Sequence, residues 1–157
     1  MKKIITYCFI LFCVFIFKAQ SDKSIHWQSF NKLASIQKHN PKPIFIYIYA
    51  DWCVYCKKME RVSFKNKVNI DLLNNKYYSL KFNLETEDTI IFNGITYKNQ
   101  EFTKHRLPKH NLAKFLSGKQ NQISLPTIVI LDKNYNATRR LHTYLSPKQL
   151  NLLLEAS

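Results

Sequence analysis

Two cysteines separated by two residues stand in the stretch Ala50-Asp51-Trp52-Cys53-Val54-Tyr55-Cys56-Lys57. Thiols at this spacing can close a disulfide and open it again. If a helix starts at the first, its amides favour that thiol's thiolate, the form that attacks, and the second lies one turn on, within bonding reach. The flanks are of the kind that would place such a pair. The apolar run Ile44-Phe45-Ile46-Tyr47-Ile48-Tyr49 is too short for a buried helix and rich in β-branched and aromatic residues, so it predicts a strand buried on both faces. From Val54 to about Asn66 the pattern turns helical. Cys56, Met59, Glu60 and Ser63 recur at spacings of three and four, while Lys57, Lys58, Arg61 and Lys65 can face water.

The remaining composition narrows the chemistry. A chain of 157 residues suggests one domain with a real core. Two glycines leave no room for a glycine-rich phosphate loop. The formal charge of +14 comes from scattered lysines rather than a basic run, which describes a solvated surface better than a nucleic-acid footprint. Tyr77, Tyr78, Phe82 and Phe115 are read as core, not as a base-stacking platform. The five histidines show no metal-ligand spacing, and Leu107-Pro108 interrupts the interval between His105 and His110.

Residues 1–20 read as a secretory signal. Lys2 and Lys3 precede the apolar run Ile4 to Phe17, fourteen residues and too short for a typical membrane span, and cleavage is expected near Ala19 or Gln20. Phe17 is a poor residue for that cleavage site, so retention as an anchor stays open beside removal. Loss of the segment takes Cys8 and Cys13 with it, and the charge falls by three lysines from +14 to +11. Cys53 and Cys56 are then the thiols of the exported domain, 21–157. A bridge between them closes almost no loop, so its value is chemical rather than structural.

In order, residues 25–37 are expected to form an amphipathic helix with Ser24 as N-cap and Ile25, Phe30, Leu33, Ala34 and Ile36 on one side. Asn40-Pro41-Lys42-Pro43 ends it. A short helix is expected over 68–74, then a strand over Tyr77 to Leu84 with Tyr78, Leu80, Phe82 and Leu84 on one face. Thr89 to Tyr97 predicts a β-hairpin turning at Asn93-Gly94. Asn111 to Ser117 reads as a helix stopped by Gly118. Ile123 to Leu131 reads as a strand opened by Pro126, followed by a turn over 132–136 and a strand over 137–143. Ser146-Pro147 opens a last helix with Leu150, Leu153 and Leu154 as its buried side. Helices alternating with strands, then a closing strand pair, predict an α/β fold with a central mixed sheet.

Tyr49-Ala50-Asp51-Trp52-Cys53-Val54-Tyr55-Cys56-Lys57, followed by Met59-Glu60 and Phe64, resembles a thioredoxin-fold active site. It is most similar to the C-terminal periplasmic thioredoxin-like domain of DsbD-type thiol:disulfide interchange proteins. Leu125-Pro126-Thr127 before an apolar strand resembles the cis-proline loop of that fold. The resemblance covers about residues 25–155, apart from an insertion at about 85–110 that carries the hairpin. It implies a thioredoxin-like fold in which Cys53 is the nucleophile, Cys56 resolves the mixed disulfide, and Pro126 packs beside the sulfurs. The backbone of Leu125 would pair with an extended partner chain. Trp52, Thr127 and Tyr144 complete the expected partner surface. Glu60 occupies the position of a glutamate in the DsbD-like domain, on the helix face of Cys56, and is read either as a proton acceptor or as a surface carboxylate pairing with Lys57 or Arg61. The chain departs from the pattern twice. Tyr47 stands where thioredoxins commonly bury an aspartate, and Tyr144 where they often have glycine.

The functional expectation is an exported, periplasmic thiol–disulfide oxidoreductase that reduces or exchanges disulfides of other proteins. It would act as a monomer, without a cofactor beyond its own Cys53–Cys56 disulfide, with protein thiols and a membrane-embedded electron donor as partners. The rival reading is a module that binds copper(I) through the same two soft thiols. The insertion is read either as cover for a sheet edge or as a lip that selects partners.

Overall fold

The computed structural model describes residues 23–120 and 122–157. The expected signal segment, 1–20, lies outside the described residues. Five strands form one sheet in the order β1-β3-β2-β6-β7: β1 is Trp27–Gln28, β2 Ile44–Tyr49, β3 Tyr78–Asn83, β6 Thr127–Leu131 and β7 Ala137–Leu141. β1 and β2 run parallel to β3, whereas β6 is antiparallel to both β2 and β7. This is the expected mixed sheet, with the Ile44–Tyr49 run at its centre.

Alternation along β2 sorts the core into two layers. Phe45 and Tyr47 face one side with Ile128 and Ile130 of β6. They meet Cys56 and Met59 of α2 (Val54–Arg61), Ile70 and Leu73 of α3 (Lys67–Lys76), and Leu150 and Leu154 of α5 (Pro147–Glu155). Ile44, Ile46 and Ile48 face the other side with Val129 and Leu131. There they meet Leu33 of α1 (Phe30–His39) and Leu112 and Leu116 of α4 (Asn111–Ser117). Each fully buried aliphatic or aromatic side chain is worth about 1.5–3 kcal/mol, so burial on both faces makes β2 a rigid platform for the cysteine-bearing turn at its C-terminal end.

Several boundaries differ from the sequence reading. Residues 25–28 are not helical. Trp27 and Gln28 pair with Ser79 and Leu80, and α1 begins after Ser29, whose side chain accepts the Lys32 N–H. The cause is a period of two: Ile25 and Trp27 point into the same layer, where Trp27 packs edge-on to Phe64 at 5.4 Å between ring centroids. Ala34 is exposed, and the buried position one turn on from Leu33 is Gln37. The Gln37 amide donates to the Lys42 and Lys133 carbonyls and its oxygen accepts the Lys42 N–H, which satisfies it inside. α2 stops at Arg61 and a short 3-10 turn, Ser63–Lys65, separates it from α3, because buried Ser63 donates to the Leu145 carbonyl and Asn66 caps the next helix. β6 starts at Thr127 rather than Ile123, since the Leu125–Pro126 peptide is cis and bends the chain away from its neighbour.

The hairpin forms as expected: β4 (Ile90–Phe92) pairs with β5 (Ile95–Tyr97), and Asn93 and Gly94 take φ of 49° and 75°. Ile90 and Phe92 bury against the α1 and α4 layer, with Phe92 edge-on to Phe30 at 5.9 Å and to Tyr135 at 5.4 Å. His110 fastens the block where it rejoins the fold. Its Nδ1 accepts the Leu112 N–H at 3.0 Å, so Nε2 carries the ring proton and donates to the Asp88 carbonyl at 2.9 Å.

Candidate active site

β2 delivers the chain through the Ala50-Asp51-Trp52 turn to Cys53, which is the N-cap of α2. The Cys53 Sγ accepts the Cys56 N–H at 3.1 Å and is bonded to the Cys56 Sγ in a disulfide of 2.05 Å. The first turn of α2 contains no acidic residue. A Cys53 thiolate released by reduction would therefore sit on the unpaired amides and positive end of the helix dipole, which lowers a thiol's pKa. Cys53 is 4 % exposed and Cys56 1 %, so Cys53 is the outer of the two sulfur-bearing residues.

Strand register places the distant proline loop beside this turn. Thr127, the first residue of β6, lies opposite Ile48, so the Leu125–Pro126 loop leaves the sheet at the end where β2 hands the chain on to Cys53, and Leu125 packs against the cluster that holds Cys53 and Cys56. Pro126 is buried and Leu125 half-buried. Among the described residues the Leu125 backbone has no hydrogen-bond partner. The Thr127 hydroxyl is buried and donates to the Ser124 carbonyl at 2.6 Å, which braces the loop across the cis peptide.

Around the nearly closed sulfurs the surface is apolar. Trp52, Val54 and Tyr55 are 53 %, 75 % and 60 % exposed. Trp52 is held in place, its indole N–H donating to Glu85 at 2.8 Å. Asn83 donates to Asp51 and accepts the Glu85 N–H, so the end of β3 and the start of the insertion frame the motif.

A family description, thioredoxin-like domain, matches residues 30–157. The chain belongs to the thioredoxin-like domain family. Among solved structures, a thioredoxin from Thermus thermophilus is 15 % identical over 85 % of this chain and 86 % of that one, with a TM-score of 0.59. A DsbH oxidoreductase is 13 % identical over 91 % and 90 %, with a TM-score of 0.56. At these identities the likeness is one of fold. The oxidised C-terminal domain of Neisseria meningitidis DsbD is 14 % identical over 85 % and 98 %, at a TM-score of 0.48, and the fold assignment rests on the other two. No curated protein matches the chain in sequence. This thioredoxin-like protein thus carries, at the helix start next to a cis-proline loop, the dithiol of a disulfide oxidoreductase.

Against that thioredoxin-like frame the unusual positions acquire partners. Tyr47 is fully buried, and burial together with the Glu60 charge pushes its phenol pKa far up, so it remains a proton donor. It donates to Glu60 at 3.4 Å, and Glu60 also pairs with Lys81 at 3.0 Å. Neither Lys57 nor Arg61 is the partner of Glu60. Tyr144 is half-buried and engaged by the active-site helix: the Lys58 ammonium lies 4.8 Å from its ring centroid and the Tyr55 ring 6.4 Å away. Glu85, Asn83, Lys81 and His142 escaped the sequence reading. A tryptophan beside the cysteines that needs an acceptor was the available signal for Glu85, but nothing in the spacing placed that acceptor. Among the described residues no group of three or more His, Cys, Asp or Glu side chains gathers as a metal site.

Proposed function

We propose that this protein is an exported thiol–disulfide oxidoreductase that reduces or exchanges disulfides in other polypeptides. The observation that carries the reading is the closed Cys53–Cys56 pair at the start of α2, beside the cis Leu125–Pro126 loop. In the reduced protein the Cys53 thiolate attacks one sulfur of a partner disulfide. A Cys53–partner bond forms, the partner S–S bond breaks, and the departing partner sulfur leaves as a thiolate that takes up a proton. Cys56, deprotonated, then attacks the Cys53 sulfur. The mixed disulfide breaks, the second partner thiolate leaves, and Cys53–Cys56 closes. The partner gains two electrons and this protein loses two.

The free Leu125 backbone supports a partner bound in extended form, adding main-chain hydrogen bonds beside the sulfurs. Exposed Trp52 and Tyr55 and half-buried Tyr144 are the side chains offered to such a partner, whereas Pro126 and Thr127 are buried and act by shaping the loop. Glu60 is the proposed proton acceptor for Cys56, with Tyr47 and Lys81 holding its carboxylate. The segment 1–20 carries the proposal of export, and the resemblance to DsbD-like domains that of the reducing direction, a monomeric state and a membrane-embedded electron donor.

The test is trapping. Cys56→Ala, expressed with its own leader in a cell with a periplasm, is expected to accumulate mixed disulfides through Cys53 in the exported fraction. Those adducts should be absent from Cys53→Ala/Cys56→Ala. If Cys56→Ala traps nothing and the reduced wild type cannot reduce an insulin-type disulfide, the exchange reading is wrong.

A further inference from the structure

On the side of the proline loop away from β2 lies a cavity of about 450 Å³ lined by Lys119, Gln120, Gln122, Ser124 and His142. Its position matters because Ser124 is adjacent to Leu125, the residue on which an extended partner would pair. A polypeptide held there passes the mouth of this cavity within about one residue.

The chemistry of the lining is cationic and lacks a counter-charge. The Thr127 hydroxyl has one proton, and the Ser124 carbonyl at 2.6 Å can only accept it. The His142 Nδ1, 2.9 Å from the same hydroxyl, must therefore carry its own proton and donate. The ring nitrogen left for a ligand is Nε2. Burial holds the pKa of this ring below the ordinary value, and the charges of Lys119 and Arg140, the charged groups that act on it, push the same way. Arg140 is fixed there, its Nε donating to the Leu116 carbonyl at 2.8 Å. Among the described residues the ion pairs are Glu60–Lys81 and Glu101–Lys114, so no carboxylate answers Lys119, Arg140 or His142.

We propose that this cavity is a subsite for the carboxylate of an Asp or Glu side chain in the polypeptide whose disulfide Cys53 attacks. The inference rests on the exchange reading above. Lys119 supplies the charge, and the Gln120 and Gln122 amides supply neutral donors. Nε2 of His142 donates once the ring takes up a proton, which an entering anion favours by offsetting Lys119 and Arg140. An acidic residue close to the attacked cysteine thereby steers the partner into register.

The probe is a set of short peptides, each closed by one intramolecular disulfide. Within each pair the peptides differ by Glu or Gln at one position within three residues of the attacked cysteine. Pre-reduced full-chain protein is mixed with each, and the second-order rate of disulfide reduction is read in a single turnover. For at least one position the Glu peptide is expected to react about threefold to tenfold faster at low salt, with the ratio shrinking toward one near 0.5 M salt. The ratio is expected to collapse in Lys119→Gln and to lose its rise toward acid pH in His142→Gln. Because the readout is a ratio, a general loss of activity cancels. Equal rates at every position in the wild type, or a preference that survives both substitutions, overturns the subsite. If the wild type reduces none of the peptides, the exchange reading falls. Calorimetric binding of the same peptides to Cys53→Ser/Cys56→Ser then decides separately, since Glu-selective binding supports the subsite and its absence removes it.

Discussion

The phenol of Tyr47, with no solvent exposure of its own, donates to the partly exposed carboxylate of Glu60 on the helix that carries Cys56. Strand and active-site helix are thereby tied at a point where a buried carboxylate would otherwise be expected. If Glu60 takes the Cys56 proton during resolution, Glu60→Gln should slow closure of the mixed disulfide by on the order of a hundredfold near neutral pH and flatten its pH profile. Folding stability should fall by no more than about 1 kcal/mol, because the Glu60–Lys81 pair is about a third exposed and screened. Tyr47→Phe should leave the fold intact and move the same profile less. Stopped-flow resolution of a pre-formed Cys53 adduct measures this, and an unchanged profile in Glu60→Gln removes Glu60 from the mechanism.

The Trp52 indole N–H on Glu85 fixes an exposed ring beside the sulfurs. Removing the acceptor in Glu85→Ala should cost less than about 1 kcal/mol of stability, since both groups are partly solvated. The ring would then sample other rotamers. The KM for a protein disulfide is expected to rise a few-fold with little change in kcat, while the rate with a small dithiol reagent stays within error. Equal effects on protein and small-molecule substrates would mean that the ring is not a partner contact.

Much of this fold was legible because single elements carry unambiguous signals. Ile44–Tyr49 has no polar face, so it had to be a central strand. Asn93-Gly94 supplies the positive φ its turn requires, and Ser146-Pro147 opens α5 with a capping box completed by Gln149. The misreadings arose where a tertiary partner decided. Ile25 and Trp27 have spacings compatible with either period, and pairing with β3 chose the strand. Val62 to Asn66 has helix-compatible spacing, but the bond from Ser63 to Leu145, more than eighty residues away in sequence, breaks it. In the site, Cys53, Cys56 and Pro126 were readable from local motifs. Lys81, Glu85 and His142 were not, because each reaches the site through strand register rather than through spacing.

Gly118 ends α4 at φ 68°, and the three atoms nearest a Cβ built there all belong to the Arg140 side chain, at ordinary contact distances of 3.5–3.9 Å. The cost of Gly118→Ala should therefore be backbone strain alone, about 1 kcal/mol. Gly118→Asn should cost less than Gly118→Ala, because asparagine tolerates the left-handed region better. Denaturant midpoints of the two variants test this. A loss of several kcal/mol in Gly118→Ala would point instead to displacement of Arg140.

His110 makes folding sensitive to mild acid. Its Nδ1 accepts the Leu112 N–H at the start of α4 and its Nε2 proton is committed to Asp88, so a second ring proton would break the cap. Burial accordingly lowers its pKa from the ordinary 6.5. The unfolded chain then binds more protons than the folded one below about pH 6.5, so stability is full above that value. It declines as pH falls from there to the depressed folded-state pKa, and His142, shifted the same way, adds to the decline. Glu101, held below the usual carboxylate range chiefly by its bond to Lys114, contributes a further loss only below about pH 4.5. Denaturant titrations at pH 7.5 and 5.5 should show the first decline. His110→Asn, whose side-chain oxygen can still cap α4, should reduce it. A decline of the same size in His110→Asn would assign it to His142 or to another group.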